Sequence, residues 1–176
     1  MAEKKVVLVD KNDNQIGLMP KMEAHQKGIL HRAFSIFIIN SQNQILLQKR
    51  SANKYHSAGL WTNTCCSHPR EGENIIDAGS RRLHEEMGIN TDLKVAFNFT
   101  YKAELENGLI EHEYDYVLIG KFNGTPKLNK DEAEDWKWIS IEEVRKDIIE
   151  NETDYTVWFV IAFEYFYKNF KKWILQ

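Results

Sequence analysis

The stretch Asn74-Ile75-Ile76-Asp77-Ala78-Gly79-Ser80-Arg81-Arg82-Leu83-His84-Glu85-Glu86-Met87-Gly88-Ile89 decides how this chain is read. It predicts a helix over 75–87. Asn74 offers a side-chain oxygen to the free amides of the first turn, Asp77 follows three residues on, and Gly88 supplies a left-handed stop. Ile76, Gly79, Leu83 and Met87 recur at helical spacing and form one buried stripe. Arg82 and Glu86, four apart, share another face.

Upstream, 6–10 reads as a strand, with a polar turn at 11–15 leading into 16–18. Pro20 opens a short helix that Gly28 closes. Segments 33–40 and 44–50 flank Ser41-Gln42-Asn43 in a hairpin pattern. Downstream, strands are expected at 94–104, 109–122 and 136–139, then a helix at 141–149 and a long aromatic helix at 155–173. The expected fold class is α+β, a mixed and mainly antiparallel sheet core flanked by helices. No repeat or linker divides the chain, so 1–176 is expected to be a single domain.

The chain has 176 residues, 43% hydrophobic and 28% charged, which suits one globular core. A net charge of −3 argues against nucleic acid or an anionic membrane as partner, yet leaves room for a small polyanion held by local bases. No run reaches a membrane span and no secretory segment is seen, so a cytoplasmic protein without membrane insertion is expected. Cys65 and Cys66 are adjacent and close no loop, which favours free thiols in a reducing compartment.

Those cysteines sit in Trp61-Thr62-Asn63-Thr64-Cys65-Cys66-Ser67-His68-Pro69. In an extended segment Cys66 and His68 point to one side and Cys65 to the other. A histidine, metal or bases nearby would make the Cys66 thiol ionise more readily and fit it for proton transfer. The competing reading is a buried structural cysteine. In Glu111-His112-Glu113, strand alternation puts both carboxylates on one face, which by itself means solvent. A three-residue loop at Glu106-Asn107-Gly108 would place Tyr101 opposite Glu113. A two-residue Asn-Gly turn would bring Lys102 there instead.

His25, His31 and His68 with Glu111 and Glu113 are candidate ligands for a divalent transition metal, Mn²⁺, Fe²⁺ or Zn²⁺. His56, His84 and His112 are read as ordinary surface or core residues. Lys21, Arg50, Lys54 and Arg82 suit phosphate, against a reading as scattered solvated charge. Trp61, Tyr101 and Trp158 are rings able to line a pocket or face a cation. The stripe Tyr155, Trp158, Phe159, Phe163, Phe166 and Phe170 is read as core or a subunit contact, compatible with a monomer or homodimer.

Segment 67–89 resembles the Nudix signature, matching it at Glu73, Arg81, Leu83, Glu85, Glu86, Gly88 and Ile89. It departs at Ser67, where glycine is expected, and at Arg82, where a metal-binding glutamate would sit. That cation removes a ligand and adds repulsion for Mg²⁺. With the Thr-Asn-Thr-Cys-Cys-Ser-His-Pro run, His25, His31 and Glu111-His112-Glu113, the chain resembles the type I isopentenyl-diphosphate Δ-isomerase family over about residues 6–158.

The resemblance implies interconversion of isopentenyl and dimethylallyl diphosphate in isoprenoid biosynthesis, with a small prenyl diphosphate as partner. It implies Cys66 and Glu113 as proton-transfer groups and Tyr101 as a relay. It implies His25, His31, His68, Glu111 and Glu113 as the metal site. Glu86, with the Cys66 backbone carbonyl, would hold Mg²⁺ on the diphosphate. Lys21, Arg50, Lys54 and Arg82 match diphosphate-binding positions, and Tyr101 and Trp158 match rings around the reacting carbons. A reaction through a tertiary carbocation needs water excluded, for which Trp61 and Trp158 are the expected walls. A Nudix pyrophosphohydrolase and a non-enzymatic metal-binding or interaction module are the rival readings.

Overall fold

Strand β3 (His31–Ile39) organises the sheet, because its two edges serve four neighbours. The computed structural model describes residues 4–174, with side chains to residue 169. In chain order the elements are β1 (Lys5–Val9), β2 (Gln15–Pro20), α1 (Lys21–Lys27), β3, β4 (Gln44–Arg50), β5 (Trp61–Thr62), β6 (Cys65–Ser67), α2 (Ile75–Met87), β7 (Leu93–Glu104), β8 (Ile110–Lys121), β9 (Ala133–Ser140), α3 (Ile141–Asn151) and α4 (Val157–Ile174). Among the described residues the sheet is mixed: β8 runs parallel to β3 along its whole length, and the other strand pairs are antiparallel. This is the expected α+β architecture.

The other edge of β3 is shared. Leu8 of β1 pairs with His31, β6 covers residues 34–36, and β4 meets it only at Ile39 opposite Ile45. The expected hairpin of β3 and β4 is thus confined to its turn, and β4 pairs instead with β9 and β5. Side chains from the β5–β6 segment bridge the gap. Thr64 Oγ1 accepts from Ile38 N at 3.0 Å and donates to Leu46 O at 2.6 Å, while Asn63 Nδ2 donates to Ile36 O and Cys65 O. Because these residues are buried, each backbone group they satisfy would otherwise be stranded.

Helix α2 has the expected bounds and caps. Asn74 Oδ1 accepts from Ile76 N, and Gly88 is left-handed at φ 63. Ala78, Gly79, Leu83, Glu86 and Met87 are buried, whereas Ile76 is only half-buried at the margin. A Cβ at Gly79 would lie 2.5 Å from Leu118 Cδ1, so a larger residue there would force that side chain to move. Phe34, Ile36, Ile38, Leu46, Cys65, Leu83 and Leu118 form the core on the α2 side. Phe37, Ile39, Ile45, Leu47, Val144, Trp158, Phe159, Phe163 and Phe166 form the core under α3 and α4. The aromatic stripe of α4 is therefore core. Phe170, expected on the same stripe, lies outside the residues whose side chains are described.

Candidate active site

Register brings the candidate residues together. Glu113 of β8 pairs with His31 of β3 on one side and Tyr101 of β7 on the other. Leu105 N donates to Leu109 O, and Asn107 and Gly108 are both left-handed, so the loop has the longer form and Lys102 faces His112 instead. On β6, Cys66 pairs with Ser35 and packs toward the α4-side core, while Cys65 lies wholly within the α2-side core. His68, just past β6, reaches Glu113, and His25 comes from α1. One ligand atom from each of His25, His31, His68 and Glu113 lies within 4.8 Å of the others.

The donor set fits a divalent cation. His25 Nδ1 stands 2.8 Å from Lys21 O, and His31 Nδ1 2.8 Å from Ile29 O. A carbonyl only accepts, so each Nδ1 carries the proton and each Nε2 presents a lone pair. Both Nε2 atoms are buried without a hydrogen-bond partner. His31 Nε2 faces Glu113 Oε1 across 3.5 Å, lone pair toward lone pair, an arrangement that an ion between them would satisfy. Burial lowers His25 to about 4 and His68 to about 3, so neutral imidazole is their form near pH 7. Glu111, expected among the ligands, is not in this group.

Glu111 is tied instead to Tyr101. The Tyr101 hydroxyl lies 2.9 Å from Glu111 Oε2 and 2.7 Å from Glu113 Oε2. A phenol has one proton and cannot donate to both, so the second contact needs a proton of its own. Burial, reinforced by the neighbouring Glu113 charge, pushes Glu111 well above the usual carboxylate range, which identifies it as the proton carrier. Burial also opposes ionisation of Glu113, but a hydrogen bond from His68 Nε2 at 3.0 Å favours the charged form, and that carboxyl lies well below its usual range. The result is a directed chain, Glu111 to Tyr101 to Glu113, ending on an ionised carboxylate.

Cys66, Glu111, Glu113 and Trp158 line one cavity of about 750 Å³ together with Lys21, Arg50, Lys54 and Arg82. Burial pushes the Cys66 thiol up to about 12. Of the protein's own bases Arg50 favours its ionisation, but desolvation and the charges of Glu86 and Glu113 outweigh that pull. Arg50 is largely committed to the fold, donating from Nε to Ser57 O and from Nη2 to His56 O, with its guanidinium 5.0 Å from the Trp158 ring centroid. Trp61 is not a cavity wall. It pairs with Lys49 and turns its ring to Lys137 Nζ at 4.2 Å, on the sheet face away from Gln48, so alternation carries it out of the site.

On α2, Arg82 is surrounded by carboxylates. Its guanidinium donates to Glu85 at 2.7 Å, Glu86 at 2.5 Å and Glu132 at 3.0 Å, and Glu132 also pairs with Lys54. With Arg81, which pairs Glu85 and Glu73, the network holds four carboxylates against three cations and is net negative, so the repulsion expected from Arg82 toward Mg²⁺ is compensated. Glu86 Oε1 accepts from Arg82 and Oε2 from Gln48, and a carboxylate so bound still offers lone pairs to a cation.

The cavity also holds residues that sequence reasoning missed. His56, read as ordinary, is 5% exposed, lines the cavity and stands edge-on to Trp158 at 5.7 Å between centroids. It lies in a loop without periodicity, so no pattern marked it. Gln48 precedes Arg50 by two on β4, and strand alternation from Arg50 was a signal for it. Glu132, in an irregular segment far along the chain, had none.

With this geometry in place, the comparisons with known proteins fall into line. The NUDIX domain family matches residues 29–159. The chain is 52% identical over 156 residues to "Isopentenyl-diphosphate Delta-isomerase 2" of Aromatoleum aromaticum, covering 89% of this chain and 82% of that protein. It is 56% identical over 155 residues to "Isopentenyl-diphosphate Delta-isomerase 2" of Photorhabdus laumondii, covering 88% and 87%. Among solved structures it is similar to DR0079 from Deinococcus radiodurans, with a TM-score of 0.70 at 17% identity over 84% of this chain and 90% of that one, a likeness of fold. The chain belongs to the NUDIX domain family and, within it, to the isopentenyl-diphosphate Delta-isomerases.

Proposed function

We propose that this chain interconverts isopentenyl diphosphate and dimethylallyl diphosphate by moving a proton onto one end of the three-carbon allylic unit and another off its opposite end. The observation that carries this reading is the shared cavity, where a half-buried thiol and a carboxylate stand with an indole ring and several bases. In the forward direction the alkene π pair takes a proton at its terminal carbon, leaving a tertiary cation. The C–H pair of the adjacent methylene then becomes the new π bond as its proton departs. Cys66 and Glu113 are the two proton-transfer groups, one giving and one receiving, with their roles exchanged in reverse.

The chain's own residues serve each requirement. Tyr101 orients Glu113 and relays the proton held by Glu111. Trp158 offers a ring face to the cation, a contact worth ~2 kcal/mol when desolvated, and its bulk excludes water that would capture the cation as an alcohol. Lys21, Lys54 and Arg82, with the remaining donors of Arg50, hold the diphosphate, which takes no part in bond making and so supplies orientation. His25, His31, His68 and Glu113 would hold a divalent transition metal such as Mn²⁺, Zn²⁺ or Fe²⁺, and Glu86 a Mg²⁺ on the diphosphate. Bound there, these ions supply charge that tunes the carboxylate and neutralises the phosphates.

The test is to incubate the protein with isopentenyl diphosphate, Mg²⁺ and Mn²⁺ and follow both products by NMR. Formation of the dimethylallyl isomer without phosphate release is expected. Phosphate or diphosphate release without isomerisation would instead make the chain a hydrolase.

A further inference from the structure

Beside Glu86 a second polar side chain is sealed into the cavity wall. Gln48 of β4 is 2% exposed and lines the cavity with Glu86 and Cys66. Its Nε2 donates to Glu86 Oε2 at 3.0 Å. A carboxylate only accepts, so the amide cannot be turned the other way without setting oxygen against oxygen. That fixes Oε1 as the remaining atom, and it is buried without a hydrogen-bond partner. A buried amide oxygen left in this state marks a place where something absent from the protein's own side chains completes the coordination.

We infer that Gln48 contributes its amide oxygen to the divalent cation that Glu86 holds when a diphosphate is bound, an inference that rests on the cation site proposed above. Three features support it. Hard divalent cations take oxygen donors, carboxylates and Gln carbonyls alike. Glu86 supplies at most its two carboxylate oxygens, so by itself it leaves most of an octahedral shell open. The Gln48 Nε2–Glu86 hydrogen bond also locks the two side chains together, so that the amide oxygen and the carboxylate are presented as one preset unit. The surrounding charge agrees, since Glu73, Glu85, Glu86 and Glu132 outnumber Arg81, Arg82 and Lys54.

The experiment is a Mn²⁺ titration of the full chain followed by electron paramagnetic resonance, with and without inorganic diphosphate. Wild type should show one class of site without diphosphate, at the His cluster, and a second class only with it. Gln48→Met keeps the volume and removes the oxygen. It should weaken the second class by about tenfold or more and leave the first unchanged. Gln48→Glu restores an oxygen at the same place and should retain the second class. Unchanged second-class binding in Gln48→Met overturns the inference, as does equal weakening in Gln48→Glu, which would mean packing rather than ligation. Glu86→Gln separates the two levels: if it too leaves the second class intact, the Glu86 site itself falls.

Discussion

Replacing Tyr101 with Phe removes one oxygen and keeps the ring against Phe99, whose centroid is 5.6 Å away. The lost hydroxyl bridges Glu111 and Glu113 at 2.9 and 2.7 Å in a buried position. A hydrogen bond to a charged group is worth ~1.5–3 kcal/mol. If that bond orients Glu113 during proton transfer, its loss lowers turnover by roughly 10–100-fold. The diphosphate is held by Lys21, Lys54 and Arg82, which Tyr101 does not touch, so KM should stay near the wild-type value. Turnover is followed by proton NMR of the vinyl and dimethylallyl signals over a range of substrate concentrations, with a thermal melt to verify folding. Undiminished kcat would refute the relay, and a raised KM at constant kcat would move Tyr101 from proton transfer to substrate binding.

Three further outcomes are expected. Burial alone would raise Glu132, but hydrogen bonds from Lys54 and Arg82 hold it at about 2. A carboxyl depressed in the fold stabilises above its ordinary range and loses that contribution as pH falls toward about 2. Glu132→Gln should therefore lower stability at pH 7, by on the order of 3 kcal/mol at most, with the difference shrinking in acid melts; a pH-independent difference would deny the linkage. Gly79→Ala should destabilise, because overpacking against Leu118 costs about 1–3 kcal/mol against roughly 1 kcal/mol gained in helix propensity, and a raised melting temperature would show that the interface yields easily. Mn²⁺ without diphosphate should raise the melting temperature, by about 2.7 kcal/mol of linkage at a hundred times the dissociation constant, and His31→Ala should abolish that rise; a rise that survives in His31→Ala would place the ion elsewhere.

The elements whose local chemistry agrees with their tertiary setting were legible. Helix α2 announced itself through Asn74, Gly88 and its apolar stripe, and the β7–β8 register followed from the loop at Glu106-Asn107-Gly108 once Gly108 was taken as left-handed. Long-range competition was not legible. Ser41-Gln42-Asn43 does make a turn, yet it says nothing of β6 entering beside β3, because that choice rests on Thr64 and Asn63 satisfying distant backbone groups. The same limit explains Trp61, whose ring type suited a cavity wall while its facing depended on pairing with Lys49. Burial was the other hidden variable. Cys66 beside a histidine reads as an easily ionised thiol, and only the folded surroundings reveal that desolvation outweighs its cationic neighbour.

Isomerisation by this chain requires Cys66 and Glu113 to act upon one bound five-carbon unit. Deuterium incorporation from D₂O into isopentenyl diphosphate and its isomer, read by NMR for wild type, Cys65→Ala, Cys66→Ala and Glu113→Gln, tests this directly. Wild type and Cys65→Ala should exchange and isomerise, and Cys66→Ala and Glu113→Gln should not, with Cys66→Ala still binding inorganic diphosphate. Isomerisation at the wild-type rate in Cys66→Ala would contradict it.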